Sequence, residues 1–218
     1  MKGSLSKPKI VIISVVLVVA AIVVSVCLAD CFGPFKSSDV LAAASDCGMR
    51  SLTFEELQRR WDGGSFGVEE FEKIVQSPAY FYTKDAAQAN KVYSKYYEFD
   101  LTDVPGLDEF IECESPKTNF DLFFIKTLSK ESAKKAYDNW VKYWGEDEDT
   151  VSYSGKKRGC TYSIIYYPVE GGYRYFGMYL KGNTFVYIDT VVADGTDTKC
   201  LETFCKKLHL VSPVASKK

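Results

Sequence analysis

Seven cysteines are the residues with the clearest capacity for chemistry in this sequence. Cys27 lies inside a long apolar run, where a thiol behaves as a small hydrophobic side chain. The others are Cys31 and five that are spread over the remaining chain: Cys47, Cys113, Cys160, Cys200 and Cys205. No two of them form the C-x₂-C pair of a structural zinc site. In an oxidising compartment we expect at least one disulfide among those five, although their spacing does not select the partners.

Acid–base and metal chemistry have few candidates. The single histidine, His209, falls at the end of a predicted helix, where the helix dipole favours a cation. The acidic run 146–149 could hold calcium through clustered carboxylates, but such runs are more typical of solvated loops. The sequence also lacks the common nucleophile, phosphate-binding and zinc motifs. It therefore predicts no catalytic residue, no metal site and no cofactor.

Tyrosines give the best indication of a binding surface. In a predicted strand over 173–181, the alternation of side chains places Tyr173, Tyr175 and Tyr179 on one face. Tyrosine suits an exposed binding face, because its ring offers contact area while its hydroxyl still bonds water. Alternatively, helices cover these rings and make them part of the core. We favour the core interpretation, because exposed aromatic patches are uncommon on monomeric proteins.

Composition narrows the class of partner. Hydrophobic residues make up 46% of the chain and charged residues 26%, which is typical of a folded globular protein. The net charge of -2 provides no basic surface to offset phosphate, so we do not expect a nucleic-acid partner. The partner of a tyrosine-rich face would be a protein or a glycan.

An apolar run over residues 10–29 predicts a transmembrane helix. Twenty helical residues span about 30 Å, which matches the hydrocarbon core of a bilayer. Lys2, Lys7 and Lys9 precede the run without any acidic residue, so residues 1–9 are predicted to be a cytoplasmic tail. The rest of the chain then lies outside the cytoplasm, as in a single-pass signal-anchor protein of a cell envelope whose first partner is the lipid bilayer.

Two alternatives to an uncleaved anchor stay open. Residues 27–29 place small side chains where a signal peptidase reads them, so the chain could be cleaved and secreted. Leu28-Ala29-Asp30-Cys31 also resembles a bacterial lipobox at its first two positions, which would make Cys31 a lipidation site. Asp30 departs from the small residue that the lipobox requires, and the length of the apolar run favours the uncleaved anchor.

Hydrophobic periodicity predicts an α+β fold after the membrane segment. Residues 30–52 read as a linker, 53–78 as a helical hairpin, 79–212 as the sheet-containing part of an extracytoplasmic domain over 53–212, and 213–218 as a tail. Thr53 and Glu56 form a capping box at the start of the hairpin. Strands and helices are predicted in the sheet-containing part, with strands over 80–82, 122–127, 151–154, 161–167, 173–181 and 184–192, and helices over 85–97, 130–144 and 197–209. This order predicts helices packed on an antiparallel sheet.

Three functions agree with these features. The first is a membrane-anchored, non-catalytic binding module. The second is an extracytoplasmic hydrolase that uses carboxylates, and the third is an accessory subunit of a membrane complex. Two carboxylates facing each other in a cleft would favour the hydrolase, whereas an open tyrosine-rich face would favour the binding module.

Overall fold

The computed structural model describes residues 33–62, 75–96, 104–145 and 150–214. Their elements belong to one unit, Pro34–Lys218. The apolar run 10–29 and Cys31 lie outside the described residues. Within the described ranges, no helix is both long and apolar enough to cross a bilayer.

The stretch predicted to be a linker contains regular structure. Helix α1 (Ser37–Asp46) and the short strand β1 (Arg50–Ser51) both fall within residues 30–52. Val40, Ala43 and Ala44 are fully buried on α1. Small alanine side chains give a weak apolar period but let a helix pack closely, so the sequence pattern concealed this helix. The expectation of a linker therefore needs correction for residues 37–51.

The capping box at the start of helix α2 (Phe54–Asp62) is confirmed. The backbone N–H of Glu56 donates to Thr53 Oγ1 at 3.2 Å, and the backbone N–H of Thr53 donates to Glu56 Oε2 at 2.9 Å. These two bonds satisfy donors that a helix N-terminus otherwise leaves unpaired. The second helix of the predicted hairpin falls mainly on residues 63–74, outside the described residues.

The predicted α+β fold is confirmed, and its sheet is antiparallel except for one pair of strands among those described. In the described ranges the strands form one eight-stranded sheet with the order β1-β2-β3-β4-β8-β7-β6-β5. Its further strands are β2 (Ala79–Thr83), β3 (Leu107–Ser115), β4 (Phe120–Thr127), β5 (Val151–Lys157), β6 (Cys160–Val169), β7 (Gly172–Lys181) and β8 (Thr184–Ala193). Only the β1–β2 pair is parallel among the described pairings. A two-residue turn joins β7 to β8, because Lys181 pairs with Thr184 as the sequence predicted.

Strand β3 was not predicted from the sequence. It carries Asp108, Glu109, Glu112 and Glu114 among its apolar residues, so it lacks the clean alternation of a half-buried strand. Lys126 on the neighbouring strand β4 forms ion pairs with Asp108 and Glu109, and Arg60 on α2 forms one with Glu114. Tertiary contacts therefore decided its structure.

Helices cover both faces of the sheet. Helix α3 (Ala86–Tyr96) and helix α4 (Lys130–Gly145) follow β2 and β4, and helix α5 (Lys199–Lys207) follows β8. The apolar residues of α1 and α5 share one buried cluster with one face of the sheet, which we call face A. Those of α3 and α4 share a second cluster with the opposite face, face B. Trp140 of α4 is fully buried there and stacks on Tyr187 at 4.2 Å between ring centroids.

Candidate functional site

The three tyrosines singled out on β7 lie on one face of the sheet, but their environments differ. Tyr179 is fully buried and belongs to the face A cluster. Tyr175 is 2% exposed, whereas Tyr173 at the beginning of β7 is only half-buried. The core interpretation therefore holds for Tyr175 and Tyr179. Tyr173 is the member of the set that reaches the surface.

Tyr173, Tyr175 and Tyr179 form a column along β7, which we call the tyrosine column. The C-terminal segment, residues 208–214, covers its buried end. The hydroxyl of Tyr179 donates to the carbonyl oxygen of Val211 at 2.7 Å, and the hydroxyl of Tyr153 on β5 donates to that of Pro213 at 3.3 Å. The Tyr179 ring also lies over Gly177, where an added Cβ would be 2.5 Å from the Tyr179 hydroxyl oxygen. The glycine thus creates the space in which this ring is held.

At the other end of the column, three rings form a cluster that we call the tyrosine platform: Tyr166, Tyr173 and Tyr175. Tyr166 stacks on Tyr175 with 5.5 Å between ring centroids, and Tyr173 packs edge-on against Tyr166 at 5.9 Å. Such distances are typical of stabilising aromatic pairs. Tyr166 and Tyr173 are half-buried while Tyr175 is buried beneath them. The platform therefore presents two partly exposed rings in fixed positions.

Apolar neighbours extend the platform on the same face. Val151 pairs with Tyr166 across β5 and β6, and Pro168 pairs with Tyr173 across β6 and β7. Residues that are directly opposite in antiparallel strands point to the same face. Val151 is 50% exposed and Pro168 is exposed. The outcome is a surface of apolar and aromatic groups at the edge of the sheet formed by β5, β6 and β7.

Carboxylates meet on face B at the same end of the sheet. Asp121 on β4 pairs with Glu114 on β3 and with Asp189 on β8, so three acidic side chains lie in one cross-strand row. Two arginines bind its outer members. The guanidinium of Arg174 donates to both carboxylate oxygens of Asp189 at 2.9 and 2.6 Å, and Arg60 Nε lies 3.2 Å from Glu114 Oε2. We call these three acids the carboxylate row.

The electrostatics of the row favour bound protons. Burial is the main cause that raises the pKa of Asp121, and the neighbouring Glu114 and Asp189 carboxylates also raise it. Together these effects bring the pKa of Asp121 to about 8. Burial also raises the pKa of Asp189 and of Glu114, against the opposing effect of Arg174 and Arg60 respectively. Asp121, in the middle of the row, is consequently the carboxyl group best suited to stay protonated near neutral pH.

Sequence reasoning found Tyr173 and Tyr175 of the platform, but it found neither the contact with Tyr166 nor the carboxylate row. The three acids come from three different strands, and the strand register alone makes Asp121 a neighbour of both others. Tyr166 was recognised as a strand residue, but its stacking on Tyr175 depends on the pairing of β6 with β7. An alternating pattern gives the face of a side chain, whereas a cross-strand neighbour also requires the register.

The five cysteines in the described part of the chain are free thiols. Cys113, Cys160, Cys200 and Cys205 are buried, and Cys47 is half-buried. No disulfide is present among these five residues, so the expected bridge is not observed. Cys47 and Cys200 nevertheless approach each other to 3.3 Å.

The remaining features singled out in the sequence do not join these surfaces. His209 is exposed directly after α5 and has a positive φ of 54°, so it lies beyond the helix end. The acidic run 146–149 is outside the described residues. Within the described ranges, no group of three or more metal-ligating side chains is arranged to hold a metal ion.

A cavity lies between the end of α4 and the β5–β6 hairpin. Its volume is about 200 Å³, and its lining combines apolar side chains with hydroxyl groups, among them Val141, Ile165, Ser152, Ser154 and Ser163. Sites for drug-sized ligands usually measure roughly 300–1,000 Å³. The cavity is therefore smaller than the usual small-molecule site.

The fold and these surfaces define the described unit as an α+β domain that is built on one eight-stranded sheet. No family model and no curated protein matches the sequence. In a comparison with solved structures, the chain is similar to the extracellular domain of PknH from Mycobacterium tuberculosis, with 10% identity and a TM-score of 0.36. The match covers 69% of this chain and 94% of that chain. At this level of similarity, the comparison assigns neither a family nor a function to the chain.

Proposed function

We propose that this chain is a membrane-anchored, extracytoplasmic binding module without catalytic activity, and that a protein or a glycan contacts its tyrosine platform. The observation that carries the proposal is the pair of half-buried rings, Tyr166 and Tyr173, held on the buried ring of Tyr175. A ring that is already fixed loses little conformational entropy on binding, so its contact area contributes more fully to affinity. Tyrosine is also enriched among the residues that dominate interfaces.

The proposed location rests on the amino-acid sequence. The apolar run 10–29 is long enough to span a bilayer, and the three lysines before it favour a cytoplasmic N-terminus. Protease treatment of intact cells is therefore expected to digest the domain that follows residue 40. Protection of that domain until the cells are lysed would contradict the proposed orientation.

Photocrosslinking from the full-length chain in its native membrane tests the binding role. A photoreactive phenylalanine analogue at Tyr173 should give a specific adduct, which mass spectrometry would assign to a protein or a glycan. The same analogue at Tyr143, which is 39% exposed on α4, is the control and should give no such adduct. Equal labelling from both positions, or no adduct at Tyr173, would contradict the proposal.

A matched substitution separates binding from folding. Tyr173→Ala should abolish the adduct formed from a photoreactive group at Pro168, which pairs with Tyr173 on the same face. Because Tyr173 is only half-buried, the melting temperature should change little. Loss of the adduct together with loss of the folded state would instead assign Tyr173 a structural role.

The carboxylate row supports a second candidate, a carboxylate-based hydrolase. Hydrolases use paired carboxyl groups of which one stays protonated near neutral pH, and Asp121 between Glu114 and Asp189 has a pKa raised to about 8 by burial and by these neighbours. The row is the weaker candidate because arginines already engage both outer carboxylates. Hydrolysis of chromogenic glycosides or esters by the purified chain, abolished by Asp121→Asn, would favour this function over the binding module.

A further inference from the structure

Two thiols from distant parts of the chain meet on face A. Cys47 directly follows α1, and Cys200 lies in the first turn of α5. The two residues approach to 3.3 Å, and the Cys47 thiol also donates to the carbonyl oxygen of Cys200 at 3.9 Å. The S–S bond of a disulfide measures about 2 Å, so a small side-chain movement brings this pair to bonding distance.

The surrounding packing holds the two residues together. Helices α1 and α5 bury Ala44 and Leu201 in the same apolar cluster, and Lys207 forms an ion pair with Asp46 at 2.9 Å. Asp46 directly precedes Cys47 in the chain, so this ion pair fixes the end of α1 against α5. The proximity of the thiols is thus a consequence of the way in which the two helices pack.

The two thiols also have complementary properties. The contact between the two side chains lowers the pKa of Cys200 and raises that of Cys47. The thiolate is the form that attacks a disulfide. Cys200 keeps 8% of its surface exposed beside the half-buried Cys47, whereas Cys113, the neighbouring thiol on β3, is fully buried.

We propose that Cys47 and Cys200 form a disulfide that cross-links α1 to α5. The bond forms by exchange with a disulfide oxidant such as glutathione disulfide. The Cys200 thiolate attacks one oxidant sulfur and releases one glutathione, and the Cys47 sulfur then displaces the second glutathione from Cys200. The two cysteines lose two protons and two electrons in total, and one glutathione disulfide becomes two glutathione thiols.

The cross-link joins positions that are 153 residues apart in sequence. It ties the helix that follows the N-terminal apolar run to the helix that leads into the C-terminal segment. That segment supplies the carbonyl groups that accept from Tyr179 and Tyr153. The disulfide would therefore hold the C-terminal segment in place over the buried end of the tyrosine column. Its formation in the cell rests on the extracytoplasmic location proposed above, whereas its formation in the purified protein does not.

Oxidation of the purified full-length chain in detergent tests the pairing. After incubation with glutathione disulfide, peptide mapping without reduction should find the Cys47 peptide joined to the Cys200 peptide. A bond that closes so long a loop should raise the melting temperature by about 10 °C over the reduced protein. Cys205→Ala is the matched control on the same helix and should leave the cross-link intact, while Cys47→Ser should abolish it.

Two results would overturn the proposal: a different pairing among the five cysteines, or free Cys47 and Cys200 in folded protein after oxidation. Mapping of protein that is alkylated in intact cells tests the location separately. A cross-link that forms in purified protein, together with free thiols in the cell, would contradict the oxidising compartment and leave the assigned pair in place.

Discussion

The two ends of the tyrosine column on β7 show how one residue type can occupy two different environments. Tyr179 and Tyr173 have the same parity on the same strand, yet Tyr179 is fully buried and Tyr173 is half-buried. The difference is the cover, since the C-terminal segment reaches Tyr179 and accepts its hydroxyl hydrogen bond through Val211. A tyrosine beneath such a cover contributes to the core, whereas one beyond it stays partly exposed.

Removal of a ring from each end should give the largest contrast. Tyr179→Ala should lower the free energy of unfolding by about 3–5 kcal/mol, because it leaves a cavity where a large aromatic ring was packed. Tyr173→Ala should lower it by about 1 kcal/mol, the value of the aromatic contacts it makes at the surface. Chemical denaturation of the two variants measures both changes. Equal losses would remove the distinction between the buried and the open end.

Adding a methyl group beneath a ring should sharpen the comparison. In Gly177→Ala the new Cβ would meet the Tyr179 ring at 2.7 Å, and the buried ring has no space to move. We expect this change to lower the free energy of unfolding by about 1–3 kcal/mol. Gly155→Ala is the matched control, because its Cβ would meet the Tyr162 ring at 2.8 Å and Tyr162 is half-buried.

The two glycine variants differ in how the ring can respond. Tyr162 can turn toward solvent, so Gly155→Ala should lower the free energy of unfolding by less than about 1 kcal/mol. Thermal denaturation of both variants gives the comparison. A larger loss for Gly155→Ala would mean that burial of the ring does not decide the effect.

On face B, Asp121 of the carboxylate row should make the stability of the protein depend on pH. The pKa of Asp121 is about 8 in the folded protein and 3.8 as its ordinary value, so folding takes up a proton between these pH values. The contribution of Asp121 to the free energy of unfolding is fully present below about pH 4 and is lost as the pH rises to about 8. Asp121→Asn stays neutral, so its stability relative to the natural chain should increase across that range.

The effect should appear as a difference in melting temperature that grows with pH. At pH 8.5 we expect Asp121→Asn to melt roughly 10 °C above the natural chain, and this difference should be much smaller at pH 4.5. Asp194→Asn, at an exposed position, is the control and should show no such trend. A difference between Asp121→Asn and the natural chain that stays constant with pH would contradict the proton uptake.

Local patterns by themselves determined much of the molecule. The capping box of Thr53 and Glu56, the Lys181–Thr184 hairpin and the alternation on β7 each follow from residues that are adjacent in sequence. Such features need only the intrinsic preferences of a short segment, so the α+β class and the face of Tyr173, Tyr175 and Tyr179 could be predicted.

Tertiary structure alone decided the rest. Helix α1 forms where small alanines pack in one cluster with α5, and β3 forms where Lys126 and Arg60 pair with three of its four carboxylates, so neither has a strong local signal. The stacking of Tyr166 on Tyr175, the meeting of Asp121 with two other acids and the contact of Cys47 with Cys200 join residues that are distant in sequence. Their neighbours are set by strand register and helix packing, which no single segment encodes.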